Sequence, residues 1–327
     1  KLMSDDVDVN NNGNIYNGGV PQKGNITKHQ ETLKEQIQTW IPDVNWNGNA
    51  VFDFEDWTTV WDYNTGTGNW HSIRYQEYSI QLVKDAHPDW NQTQIYNTAK
   101  SEFETAATNW FVKTLQTCKN MRPNAKFGFY GLPLNLNGPC IGKGMNIQCG
   151  YNNPIISQQY KDYSDQQIPI WNASDIIYPS IYLPGGNIDY YQNRGIINST
   201  VIESLRCAKN GMRQINGKLF TPKVYPYMMQ LYHNGTTYLN NQDINISFTM
   251  PYNLGAQGVI IWGSSPNNFP GGASALWNYV NTTTGPMVNE TEYQINQCSI
   301  KYCNGHGKCI QLNSNTCNCD IGYQPPN

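Results

Sequence analysis

Hydrophobic residues follow two alternating patterns along this chain. Short apolar runs, which predict buried strands, cover residues 49–55, 126–131, 175–183, 222–229 and 257–262. Apolar residues at helical spacing, which predict amphipathic helices, cover residues 27–40, 92–119, 189–210 and 242–254. Strands that alternate with helices over this length favour a parallel sheet, and a barrel is the form that closes such a sheet. The pattern therefore predicts an α/β fold of the TIM-like (β/α) barrel type.

Four chemically capable side chains lie at or near the carboxyl ends of predicted strands. They are Glu55, Tyr130, Tyr182 and Trp262. The working residues of a (β/α) barrel lie at that end of its strands, so this shared position predicts a functional site. A tyrosine at a strand end can also belong to the barrel core, and that alternative stays open for Tyr130 and Tyr182.

Composition narrows the class of protein. The 327 residues suffice for a barrel of roughly 250 residues plus a small module. Aromatic residues make up 13% of the chain, which indicates a packed body and would suit stacking against sugar rings. A formal net charge of −3 lacks the basic footprint of a nucleic-acid binder. No apolar run of about 18 residues predicts a membrane span. We expect a monomer.

Asp53 and Glu55 form the strongest candidate for catalysis. Side chains alternate along a strand, so these two acids point to the same face, with Cα atoms roughly 6.5–7 Å apart. Two acids in one enclosed site repel each other and favour keeping one proton between them, which a general acid requires. Most glycosidases place two carboxylates on opposite sides of the bond that is cleaved. Two acids side by side on one strand better suit a substrate-assisted reaction, in which one acid protonates the leaving oxygen and the other orients a nucleophile supplied by the substrate. Taken alone, such a pair more often caps a helix or binds a cation.

Nine cysteines are present, and five of them crowd into the last thirty residues. These are Cys298, Cys303, Cys309, Cys317 and Cys319. Their spacing resembles that of an EGF-like module, which implies the pairs Cys298–Cys309 and Cys303–Cys317 and leaves Cys319 without a sixth cysteine. A zinc site that includes His306 is the competing interpretation.

The other four cysteines give weaker indications. Cys140 and Cys149 close a short loop, and we expect them to pair. Cys118 and Cys207 lie in helical patterns, where free buried thiols and a bridge are equally consistent with the sequence.

Asparagine sequons and disulfides together predict a secreted or lysosomal glycoprotein. The candidate glycosylation sites are Asn25, Asn91, Asn172, Asn198, Asn234, Asn245, Asn281 and Asn289. No motif calls for a metal or a cofactor, and we expect neither.

Six separated segments carry a resemblance to a known family. They are GGVPQ (18–22), VFDFEDW (51–57), HPDW (87–90), FGFYG (127–131), YPSIY (178–182) and GVIIW (258–262). Their order and spacing resemble the animal and venom hyaluronidases, glycoside hydrolase family 56. The resemblance extends from about residue 18 to 327 and implies a catalytic barrel at 1–290, followed by a truncated EGF-like module at 291–327.

The resemblance also implies a role for each candidate residue. Glu55 would be the proton donor, and Asp53 would polarise the substrate's N-acetyl group as its carbonyl attacks the anomeric carbon. The substrate-binding residues would be Tyr130, Tyr182, Arg194 and Trp262. Arg194 would meet a glucuronate carboxylate; without the resemblance it would be a solvated charge on a helix.

The implied activity is that of a hyaluronoglucosaminidase, an endo-β-N-acetylhexosaminidase that acts on hyaluronan with retention of configuration, with chondroitin as a second candidate substrate. Family members have one or two strands before the segment at 18–22, whereas this chain has about seventeen residues there. We therefore expect a barrel that lacks N-terminal strands, as a fragment or by a different construction. Two alternatives remain: a non-catalytic glycan-binding or adhesion protein, and the same chemistry on another N-acetylated polymer.

Overall fold

The structure is a computed structural model that describes residues 8–9, 14–68, 70–134, 151, 154–185, 189–233, 235–265, 268–312, 314–319 and 323. Its strands are β1 Asp8–Val9, β2 Ile15–Tyr16, β3 Asn49–Phe52, β4 Lys126–Phe129, β5 Ile176–Ile177, β6 Arg213–Ile215, β7 Lys218–Phe220, β8 Lys223–Val224, β9 Tyr227–Met229, β10 Ile260–Trp262, β11 Gly307–Cys309 and β12 Cys317–Cys319. Its α-helices are α1 Ile26–Trp40, α2 Arg74–Ala86, α3 Gln92–Met121, α4 Pro154–Gln166, α5 Ile168–Ala173, α6 Tyr190–Asn210, α7 Asn241–Leu254, α8 Gly272–Tyr279 and α9 Gly285–Cys303. None of the helices within these ranges is long and apolar enough to cross a membrane.

The predicted helices are confirmed more closely than the predicted strands. Helices α1, α3, α6 and α7 each begin and end within two residues of the predicted positions. The strands occur where expected but are shorter, and the predicted strand over 222–229 is divided into β8 and β9. The interruption falls at Tyr225 and Pro226, because proline has no N–H to donate to a strand ladder.

The chain divides into two compact units. The first comprises Lys1–Gly131, Asp162–Ile176 and Lys209–Pro222. The second comprises Leu132–Lys161, Ile177–Ala208 and Lys223–Asn327.

A parallel pair of strands, β3 and β4, lies at the centre of the first unit, in register from Asn49 opposite Lys126 to Phe52 opposite Phe129. Helix α3 packs on this pair, with the rings of Phe111 and Phe129 only 4.1 Å apart. A capping box at the start of α3 explains where this helix begins: Asn91 accepts from the Gln94 N–H, and Gln94 accepts from the Asn91 N–H.

Asp175 is a buried charge that ties several segments of the first unit together. Its Oδ1 accepts hydrogen bonds from Lys119 Nζ and from Arg213 Nη2, each at 2.7 Å. Its backbone N–H donates to the Phe127 carbonyl at 2.8 Å, and its Oδ2 accepts from the Phe127 N–H at 3.2 Å. The carboxylate therefore joins the end of α3, strand β4 and the hairpin β6–β7.

The second unit also contains parallel segments. Strands β9 and β10 pair in parallel from Tyr227 opposite Ile260 onward. On the other side, the Tyr227 N–H donates to the Pro179 carbonyl at 2.8 Å, and the Ile181 N–H donates to the Tyr227 carbonyl at 2.9 Å. The residues that follow β5 therefore run alongside β9, as a parallel α/β arrangement requires.

The tail carries the two disulfides Cys298–Cys309 and Cys303–Cys317, with Cα–Cα distances of 5.9 and 5.5 Å. This is the pairing that the EGF-like spacing implied, and it removes four ligands from the zinc alternative. Cys319 is unpaired. Helix α9 is continuous across residues 290 and 291, so the domain boundary predicted there stays a prediction.

Cys118 and Cys207 are both buried thiols, as one of the two open interpretations of the sequence had it. Burial raises the pKa of the Cys118 thiol, which makes this side chain unreactive. The predicted bridge between Cys140 and Cys149 lies outside the described residues.

Candidate active site

The two acids of the predicted pair lie immediately after β3, rather than inside it as the sequence predicted. Strand β3 ends at Phe52, and both Asp53 and Glu55 are exposed, whereas Phe54 between them is buried with 6% of its surface accessible. The alternation expected of a strand therefore continues past the last ladder residue. Both carboxyl groups remain available to a ligand at the carboxyl end of a parallel strand.

Phe54 explains why the acids stay on the outside. Its ring packs edge-on against Trp57 at 4.8 Å and against Phe111 of α3 at 5.9 Å, measured between ring centroids. Burying a phenylalanine stabilises a fold by about 1.5–3 kcal/mol. The buried Phe54 thus anchors the segment, and the flanking Asp53 and Glu55 face the opposite way.

The electrostatic environment of Glu55 favours its protonated form. Partial removal from water raises the pKa of Glu55, and the negative charges of Asp53 and Asp56 raise it further. A carboxyl group with a raised pKa holds its proton at mildly acidic pH, where it can act as a general acid. Asp56 thus supports the chemistry of its neighbour Glu55.

Tyr130 directly follows β4 and lies beside the acids in the first unit. Its backbone N–H donates to the carbonyl of Phe52 at 2.9 Å, which continues the β3–β4 ladder to the residue before Asp53. The Tyr130 side chain is half-buried. The structure therefore positions this tyrosine at the same strand ends as the acid pair.

The second unit brings two predicted binding residues into contact. The rings of Tyr182 and Trp262 lie 6.5 Å apart at an angle of 35°. Trp262 is 43% exposed and Tyr182 is half-buried, so both rings have accessible surface. His233, which no sequence pattern singled out, stacks against Tyr182 at 6.2 Å and 24°.

Arg194 is exposed in the first turns of α6. Its Nη1 donates to the Tyr190 hydroxyl at 3.2 Å, and its guanidinium carbon lies 5.6 Å from the centre of the Tyr190 ring. The contact is local and Arg194 is exposed, so an anion can approach it. These observations fit an anion-binding role and a solvated charge equally.

The structure also describes most sequon asparagines. Exposed ones are Asn25, Asn91, Asn172, Asn245, Asn281 and Asn289. Asn198 is half-buried within α6, and Asn234 lies outside the described residues. Glycosylation at these positions stays a prediction. Within the described ranges, no group of three His, Cys, Asp or Glu side chains is arranged to hold a metal ion.

Solved structures establish the class of fold. The chain resembles bee venom hyaluronidase in complex with a hyaluronic acid tetramer, with a TM-score of 0.74, 30% identity, and coverage of 88% of this chain and 83% of that one. A monoclinic crystal structure of bee venom hyaluronidase gives a TM-score of 0.71 at 29% identity, covering 84% and 82%. The predicted α/β class with a TIM-like (β/α) barrel fold is thereby confirmed.

The chain belongs to the hyaluronidase family, glycoside hydrolase family 56, whose family model matches residues 8–319. Curated relatives include a chondroitin hydrolase of Caenorhabditis elegans, 29% identical over 91% of this chain and 62% of that protein. Hyaluronidase-1 of Mus musculus is 30% identical over 90% of this chain and 60% of its own length. The chain thus spans about three-fifths of the length of these relatives.

Proposed function

We propose that this chain is an endo-β-N-acetylhexosaminidase that hydrolyses hyaluronan with retention of configuration. The single observation that carries the proposal is the exposed pair Asp53 and Glu55 after a parallel strand, with the pKa of Glu55 raised. Membership of the hyaluronidase family supports the substrate class, as does the hyaluronic acid tetramer bound by the bee venom relative.

The first chemical step uses Glu55 as the acid. Its carboxyl O–H donates a proton to the glycosidic oxygen while the bond from that oxygen to the anomeric carbon breaks. The carbonyl oxygen of the substrate's own N-acetyl group forms a new bond to the anomeric carbon. Asp53 accepts a hydrogen bond from the acetamido N–H and stabilises the positive charge that develops there.

In the second step Glu55 acts as a base. It accepts a proton from water as the water oxygen bonds to the anomeric carbon, and the bond to the acetamido oxygen breaks. Two displacements at one carbon give net retention, and Glu55 regains the proton that it lost. No metal or cofactor enters either step.

The aromatic and cationic residues act in binding. Tyr130 would line the site beside the acids, and Tyr182 would position the acetamido group. Trp262 would offer an exposed ring face to a sugar, and Arg194 would meet a uronate carboxylate. The partly exposed rings of Tyr182 and Trp262 in mutual contact support these roles.

Chondroitin is the second candidate substrate, because one curated relative is a chondroitin hydrolase. A glycan-binding protein without activity is the alternative from another class. The acid pair counts against it, since holding two repelling carboxyl groups together has no value for binding alone.

We also propose that the protein acts outside the cytosol as a secreted or lysosomal protein, which the disulfides Cys298–Cys309 and Cys303–Cys317 of its tail support. The monomeric state stays a prediction.

Turnover by the Glu55→Gln variant tests the assignment. Loss of a general acid should lower kcat by about 10²–10⁴-fold while leaving polymer binding intact. Glu77→Gln, which removes an exposed acid from α2 of the same unit, is the matched control and should keep wild-type rates. Full activity of Glu55→Gln would eliminate the mechanism. Viscometry on hyaluronan, chondroitin and chitin oligomers in parallel identifies the substrate.

A further inference from the structure

His233 is an exposed imidazole at the candidate binding surface of the second unit. It lies 51 positions beyond Tyr182 in sequence, yet the two rings stack with centroids 6.2 Å apart. Tyr182 also contacts Trp262, with ring centroids 6.5 Å apart. The Tyr182 ring therefore contacts two other rings, an imidazole and an indole. We refer to the rings of Tyr182, His233 and Trp262 as the aromatic cluster.

The backbone holds His233 in this position. Its N–H donates to the carbonyl of Leu183, the residue after Tyr182, at 2.7 Å. This hydrogen bond joins the two segments at the point where their rings stack. The backbone of His233 is thus tied to the chain segment that carries Tyr182, so the two rings start from neighbouring points of the chain.

The residue before His233 is anchored in the core. The Tyr232 hydroxyl donates to Asp243 Oδ2, and burial together with this hydrogen bond raises the pKa of Tyr232 to about 12. Asp243 is buried and also accepts from Asn193 Nδ2 and Asn240 Nδ2, each at 3.0 Å. The fixed preceding residue and the Leu183 hydrogen bond hold the backbone of His233 in place, which lowers the entropy cost of presenting its ring to a ligand.

Imidazole adds a chemistry that the other two rings lack. It gains a positive charge in mildly acidic solution and donates hydrogen bonds from both nitrogens. The chain carries a net charge of −3, so attraction for a polyanion must come from local cations. A cation beside sugar-stacking rings suits an acidic sugar next to an N-acetylated one.

We propose that His233 is a further substrate-binding residue, which recognises the uronate carboxylate of an acidic polymer and sets a preference for it over a neutral polymer. This proposal rests on the proposed function, because it assigns the aromatic cluster to substrate binding. His233 lies outside the six segments that carry the family resemblance.

The test compares two substrates at pH 5 that differ at the uronate group: a hyaluronan oligosaccharide, with a charged carboxylate, and its methyl ester, which is neutral there. His233→Phe should raise KM for the native oligosaccharide about tenfold, as expected for the loss of one charge-assisted hydrogen bond. It should change kcat less than about twofold, and KM for the ester should stay as in wild type. His233→Arg, which keeps a cation, should restore most of the affinity for the native substrate.

His87→Phe is the matched control, because His87 is also exposed and stacks on an aromatic ring, Trp90, at 3.8 Å. This variant should have wild-type KM and kcat on both substrates. Equal losses on native and esterified substrate would mean that His233 only supports Tyr182, and unchanged kinetics would mean that it has no role; either result overturns the proposal.

Failure of the proposed function would look different, since wild-type protein would then turn over neither substrate. In that case the affinities of wild type and His233→Phe for the two oligosaccharides decide the matter. A loss of affinity confined to the native one supports recognition of the carboxylate, and equal affinities refute it.

Discussion

The charge cluster around Asp175 offers a quantitative test of how the first unit is held together. Asp175 is 4% exposed and pairs at 2.7 Å with both Lys119 and Arg213. Asp175→Asn keeps the volume of the side chain but leaves two cations facing each other without their shared anion. Each cation retains one carbonyl partner, since Lys119 also donates to Ala173 and Arg213 to Ser174.

The size of the effect follows from burial. Removing one partner of a buried ion pair costs about 3–5 kcal/mol. The side chains of Lys119 and Arg213 are 27% and 18% exposed and can recover some hydration, which places the expected loss near the lower end, about 3 kcal/mol. At about 2–4 °C for each kcal/mol, Tm should fall by about 6–12 °C.

Thermal denaturation followed by circular dichroism measures this change. Asp62→Asn is the control, because the pair Asp62–Lys100 has a similar distance of 2.8 Å but lies a third exposed, and such pairs contribute at most about 1 kcal/mol. Adding Lys119→Met to Asp175→Asn should recover part of the lost stability, since it removes one of the two unpaired cations. Equal Tm values for the two single variants would refute the reasoning from burial.

Three further predictions concern the acid pair and its support. Asp56→Asn should lower the pKa of Glu55, so the alkaline limb of the plot of kcat/KM against pH should move to lower pH; an unmoved limb would show that Asp56 has no electrostatic effect. Since the fold raises the pKa of Glu55, ionised Glu55 opposes folding: this cost is absent below the unfolded pKa of about 4.3 and grows as pH rises through the folded value. Glu55→Gln should therefore have a higher Tm than wild type at about pH 7 and an equal Tm at about pH 3, and calorimetry that finds the opposite order would contradict the assignment. Phe54→Ala should lower the free energy of unfolding by about 3–5 kcal/mol in urea titrations, because it leaves a cavity against Trp57 and Phe111, whereas a loss below about 1 kcal/mol would show that Phe54 does not anchor the segment.

Helices of this chain could be placed from sequence because their determinants are local. The periodic apolar residues and the Asn91 cap define α3 within a single stretch of chain. The pattern of apolar runs does not predict the hairpin β6–β7, although the chain carries a turn motif for it. Asn216 and Gly217 both have positive φ, 51° and 76°, as a two-residue hairpin turn requires.

Strand ends were less predictable because they depend on neighbours distant in sequence. The predicted strand over 175–183 retains only β5, Ile176–Ile177, as regular ladder. Beyond it the chain still runs beside β9, but Pro179 can offer only its carbonyl, to the Tyr227 N–H. An apolar run indicates burial; the partner strand determines how much of it forms a ladder.

In the candidate site, too, some features follow from local sequence and others depend on residues distant in sequence. Alternation along β3 predicted that Asp53 and Glu55 face one way and Phe54 the other, and the exposure of these side chains agrees. Residue identity and ordered motifs also identified the family and made Tyr182 and Trp262 candidates for substrate binding. These properties depend on short segments of sequence, because side chains alternate along a strand and the alternation determines which of them share a face.

Tertiary structure decided the environment of those residues. Partial removal from water and the charges of Asp53 and Asp56 raise the pKa of Glu55, and the loss of hydration depends on how distant segments pack around β3. The contact of His233 with Tyr182 arises because a backbone hydrogen bond to Leu183 joins segments some fifty residues apart. Sequence alone thus determined which groups are present and which face they share; desolvation and ring stacking, which act through space, required the fold.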